Sequence, residues 1–327
     1  MVFALMVACA PKGGDMIETQ DFASLQIDTA SPVLSAIDSL MWQQPDSALA
    51  RLLPYFDTCC RDVSRNVSED TNDTSLGDVS GNVSTFNHHY AHLLLAELLY
   101  KNDYAQTNRA ELLEAVGYFD SLMADTRGVS LHGFHRRDAR RASAQNTAFL
   151  DARAHYINGV GYYEHDSVVP ACKEYLKALE VMEEHFEEKE LIGNKANFIA
   201  LTHTHLLGLF SDMYLDEQAL YFGKSSLKYY QKYNAEPWHI VWILNNIGSH
   251  FDIMNNYDSA LYYYQQGLKI LSDTNSLIYR DITSHIAFLS YRENGDPSHS
   301  LNQLHKILVN AESDQEYTAR CLTIGIY

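Results

Sequence analysis

Apolar residues recur about every three to four positions along most of this chain, a period that predicts amphipathic α-helices. The clearest stretch is 242–271, where the polar residues 255–258 separate two such segments. The first segment carries Leu244, Ile247, Gly248 and Phe251, and the second carries Ala260, Leu261, Tyr264, Gly267 and Leu268. Small residues lie where two antiparallel helices would cross, which allows close backbone approach. The stretch therefore predicts a pair of helices that bury each other's apolar faces.

The same spacing occurs a second time, in residues 152–181. Gly248 and Ala260 are twelve residues apart, and Tyr264 follows Ala260 by four. Gly159, Ala171 and Tyr175 repeat both intervals. Recurrence of several intervals is typical of helical repeats. The pattern resembles the tetratricopeptide repeat, and this resemblance implies an all-α, right-handed solenoid of antiparallel helix pairs.

Two weaker units extend the predicted array over residues 151–316. One has Gly208 and Ala219 eleven residues apart, which predicts a turn one residue shorter than the others. The other keeps Tyr291, Gly295 and Leu304. The spacing between units exceeds the usual 34 residues of the tetratricopeptide family, so repeats of the HEAT type, with a period nearer 40, are an alternative.

The N-terminal half predicts degenerate repeats over 31–125. A helix should begin at Ser31-Pro32 and break at Gln44-Pro45, and the tetrapeptide that starts at Asp46 recurs at Asp258. Residues 61–85 are rich in Ser, Asn, Asp, Thr and Gly, which predicts a disordered insertion. A connecting segment is expected at 126–150.

The two ends of the chain suggest an anchored and incomplete protein. Residues 1–9 are apolar and end in Cys9, which resembles a partial lipoprotein-type signal with Cys9 as the lipidated residue, although it has no basic region; an ordinary apolar tail is the alternative. Residues 10–30 suit a flexible tether. Residues 317–327 resemble the first helix of an incomplete repeat, so we expect a fragment truncated at the C-terminus.

Composition narrows the range of functions. The net charge of -18 argues against nucleic-acid binding by this segment, because phosphates require a basic surface. Gly223-Lys224-Ser225 lacks the earlier glycine of a phosphate-binding loop, and His88 and His92 lack a third metal ligand. No local motif assembles a catalytic site. We therefore expect a non-enzymatic protein without a cofactor or metal.

The resemblance to tetratricopeptide proteins implies that the first helix of each pair lines a concave groove, where a protein or peptide partner binds. Buried packing against neighbouring helices is the alternative for the aromatic members. The groove lacks the lysines of the well-known carboxylate clamp, so that ligand class is not supported. The positions that map to the groove are Arg153, Tyr156, Tyr163, Thr202, His205, Asp212, Trp242, Asn245, Ser249, Asp252, His285 and Arg292.

Three functions are compatible with these features. The segments 37–53 and 89–108 resemble tetratricopeptide proteins of the Bacteroidota envelope, which implies a protein-interaction scaffold anchored through Cys9 and facing the periplasm or the cell surface. The second function is the periplasmic sensor portion of a membrane-bound signalling or transcriptional regulator, which predicts a transmembrane helix beyond Tyr327. The third is a glycan-binding lipoprotein.

Overall fold

A computed structural model describes residues 31–59, 85–104, 109–127, 134–232, 236–273, 276–294 and Asn302. These residues form eleven α-helices, a short 3-10 helix at Glu188–Glu190 and no strand, which confirms the all-α class. The helices are α1 (Pro32–Met41), α2 (Pro45–Cys59), α3 (Thr85–Lys101), α4 (Arg109–Arg127), α5 (Phe134–Glu164), α6 (Val168–His185), α7 (Asn194–Asp212), α8 (Asp216–Lys232), α9 (Pro237–Ile253), α10 (Tyr257–Ile270) and α11 (Leu277–Asn294).

The chain divides into two compact units, Val2–Glu188 and Lys189–Tyr327. The first unit contains α1 to α6 and the second contains α7 to α11. Within each unit, neighbouring helices pack in pairs, and α5 with α6, α7 with α8, and α9 with α10 are the most extensive. The predicted connecting segment 126–150 is largely helical, because α5 already begins at Phe134. The expected start of the array at 151 consequently lies inside α5.

Helix starts follow the signals in the sequence. Ser31 accepts a hydrogen bond from the backbone N–H of Val33, and Pro32 occupies the first turn of α1, as predicted. α2 begins at Pro45 with Asp46 in its first turn. Asn256 caps α10 by accepting from the N–H of Ser259, and Asp258 lies in the first turn. The capping side chains accept hydrogen bonds from free N–H groups at the helix starts. The aspartates in the first turns interact favourably with the positive end of the helix dipole.

Four turns that follow a first helix share one backbone conformation. Each contains a residue in the left-handed region, with φ between 55° and 57°: Asp103, Asp166, Tyr214 and Asn255. In each turn the next residue donates its N–H to a carbonyl five positions earlier at 2.9 Å, namely Tyr104 to Leu99, Ser167 to Tyr162, Leu215 to Phe210 and Asn256 to Phe251. This bond ends a helix in the Schellman arrangement. The shared turn gives the four helix pairs the same connection geometry, as expected for repeated units.

The predicted helix crossings place a buried tyrosine ring on a glycine. A Cβ atom added at Gly248 would lie 2.8 Å from the Cδ1 and Cε1 atoms of Tyr264. At Gly159 it would lie 2.9 Å from Cε1 of Tyr175. Both tyrosines are fully buried. The interpretation of Gly159 and Gly248 as close-approach positions is therefore confirmed.

The expectation of a shorter turn after α7 is wrong. The turn comprises residues 213–215, as long as the turn 254–256 after α9. Counting back from the left-handed residue of each turn, Leu207 rather than Gly208 occupies the position of Gly248. Its partner position on α8 is Gly223, where an added Cβ would lie 3.3 Å from Cδ2 of Leu207. The large and small partners are thus exchanged in this pair.

An apolar core continues from pair to pair within the second unit. One buried cluster joins Leu207, Tyr230, Ile243 and Ile247. A second cluster joins Val241 and Tyr264 to Ile282 and Leu289 of α11. Each helix of α9 and α10 therefore packs against its own partner and against the next element, as expected for stacked helical repeats.

Several predictions concern residues outside the described ranges. They are the signal at 1–9 with Cys9, the tether at 10–30, the insertion at 61–85 apart from Thr85, the second helix of the last repeat and the incomplete repeat at 317–327. Within the described residues, no helix combines the length and the apolar character that crossing a membrane requires.

We expect Gly248→Ala to lower the free energy of unfolding by about 1–3 kcal/mol, because the new methyl group must displace the Tyr264 ring. Gly117→Ala is the control, since an added Cβ there meets nothing within 4 Å and α4 is a regular helix. This control should raise stability by up to about 1 kcal/mol. Urea unfolding followed by circular dichroism tests both variants. Equal stability of the two would contradict the close contact between Gly248 and Tyr264.

Candidate partner-binding surface

Arg153, predicted to face the groove, is instead buried at 1 % exposure. Its Nε donates to Oε1 of Glu97 at 2.8 Å, and its Nη1 and Nη2 donate to the two carboxylate oxygens of Asp38 at 2.9 Å. The hydroxyl of Tyr90 also donates to Asp38. The guanidinium therefore links α1, α3 and α5, the first helices of three pairs, and is used inside the first unit.

Electrostatics within this group favour the charged arginine. Burial opposes the charge, but Asp38 and Glu97 raise the pKa of Arg153 further above its usual range. Burial, together with Asp38, raises the pKa of the Tyr90 hydroxyl, so it remains a hydrogen-bond donor. A buried ion pair is tolerated while both charges are present. Removing one of them leaves the other buried without a counter-charge, which destabilises the fold.

The other two predicted residues on α5 differ in exposure. Tyr156 is 5 % exposed, and its ring centroid lies 5.6 Å from that of Tyr175. Tyr156 therefore packs against a neighbouring helix, which was the alternative to facing the groove. Tyr163 is half-buried, and its proposed contact with a partner stays a prediction.

On α7 the predicted positions are displaced by one residue, because Leu207 takes the glycine position. Thr202 is fully buried and donates to the carbonyl of Phe198 at 2.8 Å. His205 is buried, and burial lowers its pKa to about 4. Asp212 is half-buried. The residues that correspond in register to Trp242, Asn245, Ser249 and Asp252 are Leu201, Thr204, Gly208 and Ser211.

Among the predicted residues on α9 and α11, the structure pairs Asp252 with Arg292, whereas Asn245 and Ser249 are buried. Nδ2 of Asn245 donates to Oδ2 of Asp281 at 2.9 Å, and Nη1 of Arg292 donates to Oδ1 of Asp252 at 2.7 Å. The ring of His285 is stacked on Tyr264, with centroids 5.2 Å apart. We call this surface the α9–α11 face: Trp242, Asn245, Ser249, Asp252, Asp281, His285 and Arg292.

Polar atoms on this face keep unused hydrogen-bonding capacity. Asn245 is 2 % exposed, and its Oδ1 accepts no hydrogen bond from the described residues. Nε2 of His285 also has no hydrogen-bond partner there, lying 3.8 Å from Oδ1 of Asp281. A buried acceptor without a donor costs about 1–3 kcal/mol. A ligand that supplies an N–H or O–H group would recover this free energy.

Asp281 was absent from the sequence prediction, although the sequence contains a signal for it. It precedes His285 by four residues on α11, so both lie on one helix face. Asp252 and Asp281 place two carboxylates on the α9–α11 face against the single guanidinium of Arg292. The face is therefore acidic and suits donors better than a terminal carboxylate.

Two motifs set aside in the sequence have clear positions. Gly223 and Lys224 lie within α8 and form no loop, so a phosphate-binding loop is contradicted. The rings of His88 and His92 are in contact, with centroids 4.7 Å apart. Burial and, to a smaller extent, the charge of the neighbouring His88 lower the pKa of His92 to about 4. This contact is ring packing rather than a pair of ligands around an ion.

No family model matches the chain, and no curated protein matches it. Among solved structures, BtubC (BKLC) from P. vanneervenii has 14% sequence identity and a TM-score of 0.48, covering 91% of this chain and 94% of that chain. The apo form of RapI has 12% identity and a TM-score of 0.45, and the match covers 90% of this chain and 98% of RapI. A Rap protein complexed with competence and sporulation factor has 14% identity and a TM-score of 0.37, covering 88% and 79%. The assignment of tetratricopeptide-type helix pairs rests on the turns and crossings described above.

We expect Arg153→Met to lower the free energy of unfolding by about 3–5 kcal/mol, because the buried Glu97 and the partly buried Asp38 would lose their cation. Arg292→Met is the matched control, since Arg292 also pairs with an aspartate but its side chain is 37% exposed. Such an exposed pair contributes about 0–1 kcal/mol. Urea unfolding of both variants measures the difference, and a similar small loss in both would show that Arg153 is not a structural link.

Proposed function

We propose that this chain is a non-catalytic scaffold that binds an extended segment of a partner protein on the α9–α11 face. The observation that supports this function is the amide of Asn245. Its Nδ2 is held by Asp281, which fixes the side chain, while its Oδ1 is a buried acceptor without a donor among the described residues. Because this oxygen has no accessible surface, an N–H donor of the partner reaches it only when neighbouring side chains of the face move aside.

The backbone of an extended peptide supplies such donors at regular intervals. Each residue other than proline carries one N–H and one C=O. A peptide N–H directed at Oδ1 of Asn245 would satisfy the acceptor, and the partner's carbonyls and side chains would meet His285 and Arg292 beside it. Recognition through the backbone explains why the face needs fixed polar groups more than a deep apolar pocket.

The charge of the face indicates the composition of the partner segment. Asp252 is paired with Arg292, whereas Asp281 interacts with the neutral amide of Asn245 and lies beside His285. Its side chain is 28% exposed, so a ligand can reach it. We therefore propose a neutral or basic segment, because an acidic one would meet both Asp281 and the net charge of -18. The same charge disfavours nucleic acid as the partner.

The exposure of aromatic side chains favours a peptide over a glycan. Sugar binding by stacking requires accessible ring faces, but Tyr156 is buried and Trp242 is half-buried. His285 already has one face of its ring against Tyr264. A protein segment that uses hydrogen bonds therefore fits the α9–α11 face better than a sugar ring.

A location in the bacterial envelope is a second proposal and rests on the sequence alone. It is supported by the apolar residues before Cys9 and by the resemblance to Bacteroidota envelope proteins. The same features fit a sensor portion whose transmembrane helix would follow Tyr327. Intact mass of the protein purified from its own membrane fraction separates these cases.

We expect that mass to begin at an acylated Cys9. A mass that also extends past Tyr327 would favour the sensor, and a mass that ends there would favour the short scaffold. An unmodified N-terminus upstream of Cys9 would contradict lipid anchoring.

Peptide binding is tested by selecting ligands from a random display library on the full chain. Selected peptides should bind Asn245→Leu at least about tenfold more weakly, which corresponds to about 1.4 kcal/mol, because the fixed acceptor is lost. Fluorescence anisotropy with labelled peptides gives the dissociation constants, and circular dichroism checks that the variant is folded.

Tyr262→Ser serves as the control, because Tyr262 is 58% exposed on α10 and is not part of the α9–α11 face. It should bind the selected peptides as the parent does. Failure to select any peptide, or equal affinity of the parent and Asn245→Leu, would contradict the proposed function.

A further inference from the structure

Two helices of the first unit bring three potential metal ligands close together. Asp120 lies on α4, and Asp151 and His155 lie four residues apart on α5. One ligand atom from each of the three lies within 4.8 Å of the other two. Glu174 of α6 contacts the opposite side of the imidazole. This cluster is separate from the Arg153 group and from the α9–α11 face.

The orientation of His155 is fixed. The residue is 5 % exposed, and its Nδ1 lies 2.7 Å from Oε2 of Glu174. When the imidazole donates Nδ1–H to this carboxylate, its Nε2 lone pair is left for a metal. Metal-bound histidines commonly have such a second partner, which sets the tautomer and strengthens the ligand.

The distances around Nε2 are close to, or somewhat longer than, those between ligands of a small metal ion. Nε2 lies 3.4 Å from Oδ1 of Asp120 and 3.8 Å from Oδ1 of Asp151. Donors about 2.0–2.1 Å from a tetrahedral zinc ion lie about 3.3 Å from one another, from the geometry of the tetrahedron. Small side-chain adjustments would therefore bring these three atoms around one ion.

The ligand types indicate the class of ion. One imidazole and two carboxylates, without a thiolate, suit a divalent transition metal, whereas calcium and magnesium prefer oxygen ligands alone. Three carboxylates, those of Asp120, Asp151 and Glu174, surround a single imidazole, and the Lys177 ammonium also interacts electrostatically with Asp120. The side chain of Asp120 is 49% exposed, which leaves the ion an entry route and room for a water ligand.

We propose that Asp120, Asp151 and His155 bind one divalent transition-metal ion of the zinc type, with Glu174 as the positioning residue for His155. The ion joins α4 to α5, whose connection in sequence passes through residues 128–133. The site does not depend on the proposed function of the α9–α11 face.

Isothermal titration calorimetry of the chelator-treated full chain with Zn²⁺ tests the site. One equivalent should bind to the parent, and Asp120→Asn should weaken this binding at least about tenfold. Because Asp120 is half-exposed, its substitution leaves the fold intact. Glu174→Gln should weaken binding about 10- to 100-fold through the orientation of His155.

Glu183→Gln is the matched control, since it removes one exposed carboxylate from the same helix as Glu174 without touching the cluster. It should bind Zn²⁺ as tightly as the parent. Titration with Co²⁺ provides a spectroscopic readout, because tetrahedral coordination by nitrogen and oxygen gives visible absorption well above that of the aqueous ion. His155→Gln should remove this absorption.

Two results would overturn the proposal. The first is the absence of a stoichiometric Zn²⁺ site in the parent, which would assign His155 to a bridge among carboxylates. The second is equal affinity in the parent, Asp120→Asn and His155→Gln, which would place the bound ion on other groups such as the cysteine thiols.

Discussion

The contact between a buried tyrosine ring and a helix glycine determines much of this structure. Gly248 under Tyr264 and Gly159 under Tyr175 set the distance and the register of their helix pairs. In the pair α7 and α8 the contact persists with its partners exchanged, as Leu207 against Gly223. Because each first helix is fixed to its partner in this way, the residues on its opposite face are fixed as well.

The two units use those opposite faces differently. In the first unit, Arg153 joins α1, α3 and α5 through two carboxylates, so the polar groups satisfy one another. In the second, Asn245 and Arg292 link α9 to α11 but leave Oδ1 of Asn245 without a donor among the described residues. Buried polar atoms without a hydrogen-bond partner also occur in the first unit, for example Oδ1 of Asn158. We assign partner binding to α9 and α11 because the Asn245 amide lies there beside the partly exposed Asp281 and Arg292.

Much of the fold was predictable from local intervals, and the register of α7 was not. Gly208 lies next to the true crossing position, and only the turn at Tyr214 and the contact with Gly223 reveal that Leu207 occupies it. The burial of Arg153 was also hidden, because Glu97 and Asp38 are 56 and 115 residues away. The His155 cluster draws on three helices and has no sequence motif. Asp281, in contrast, follows the same helix period as His285.

The proposed function depends on a partner segment that lies on the α9–α11 face. The most direct measurement is a crystal structure of the full chain with a selected peptide bound. We predict an extended peptide across α9 and α11, with a backbone N–H within about 3 Å of Oδ1 of Asn245. A peptide bound to α8 or α10 on their exposed sides, with Asn245 untouched, would contradict the account.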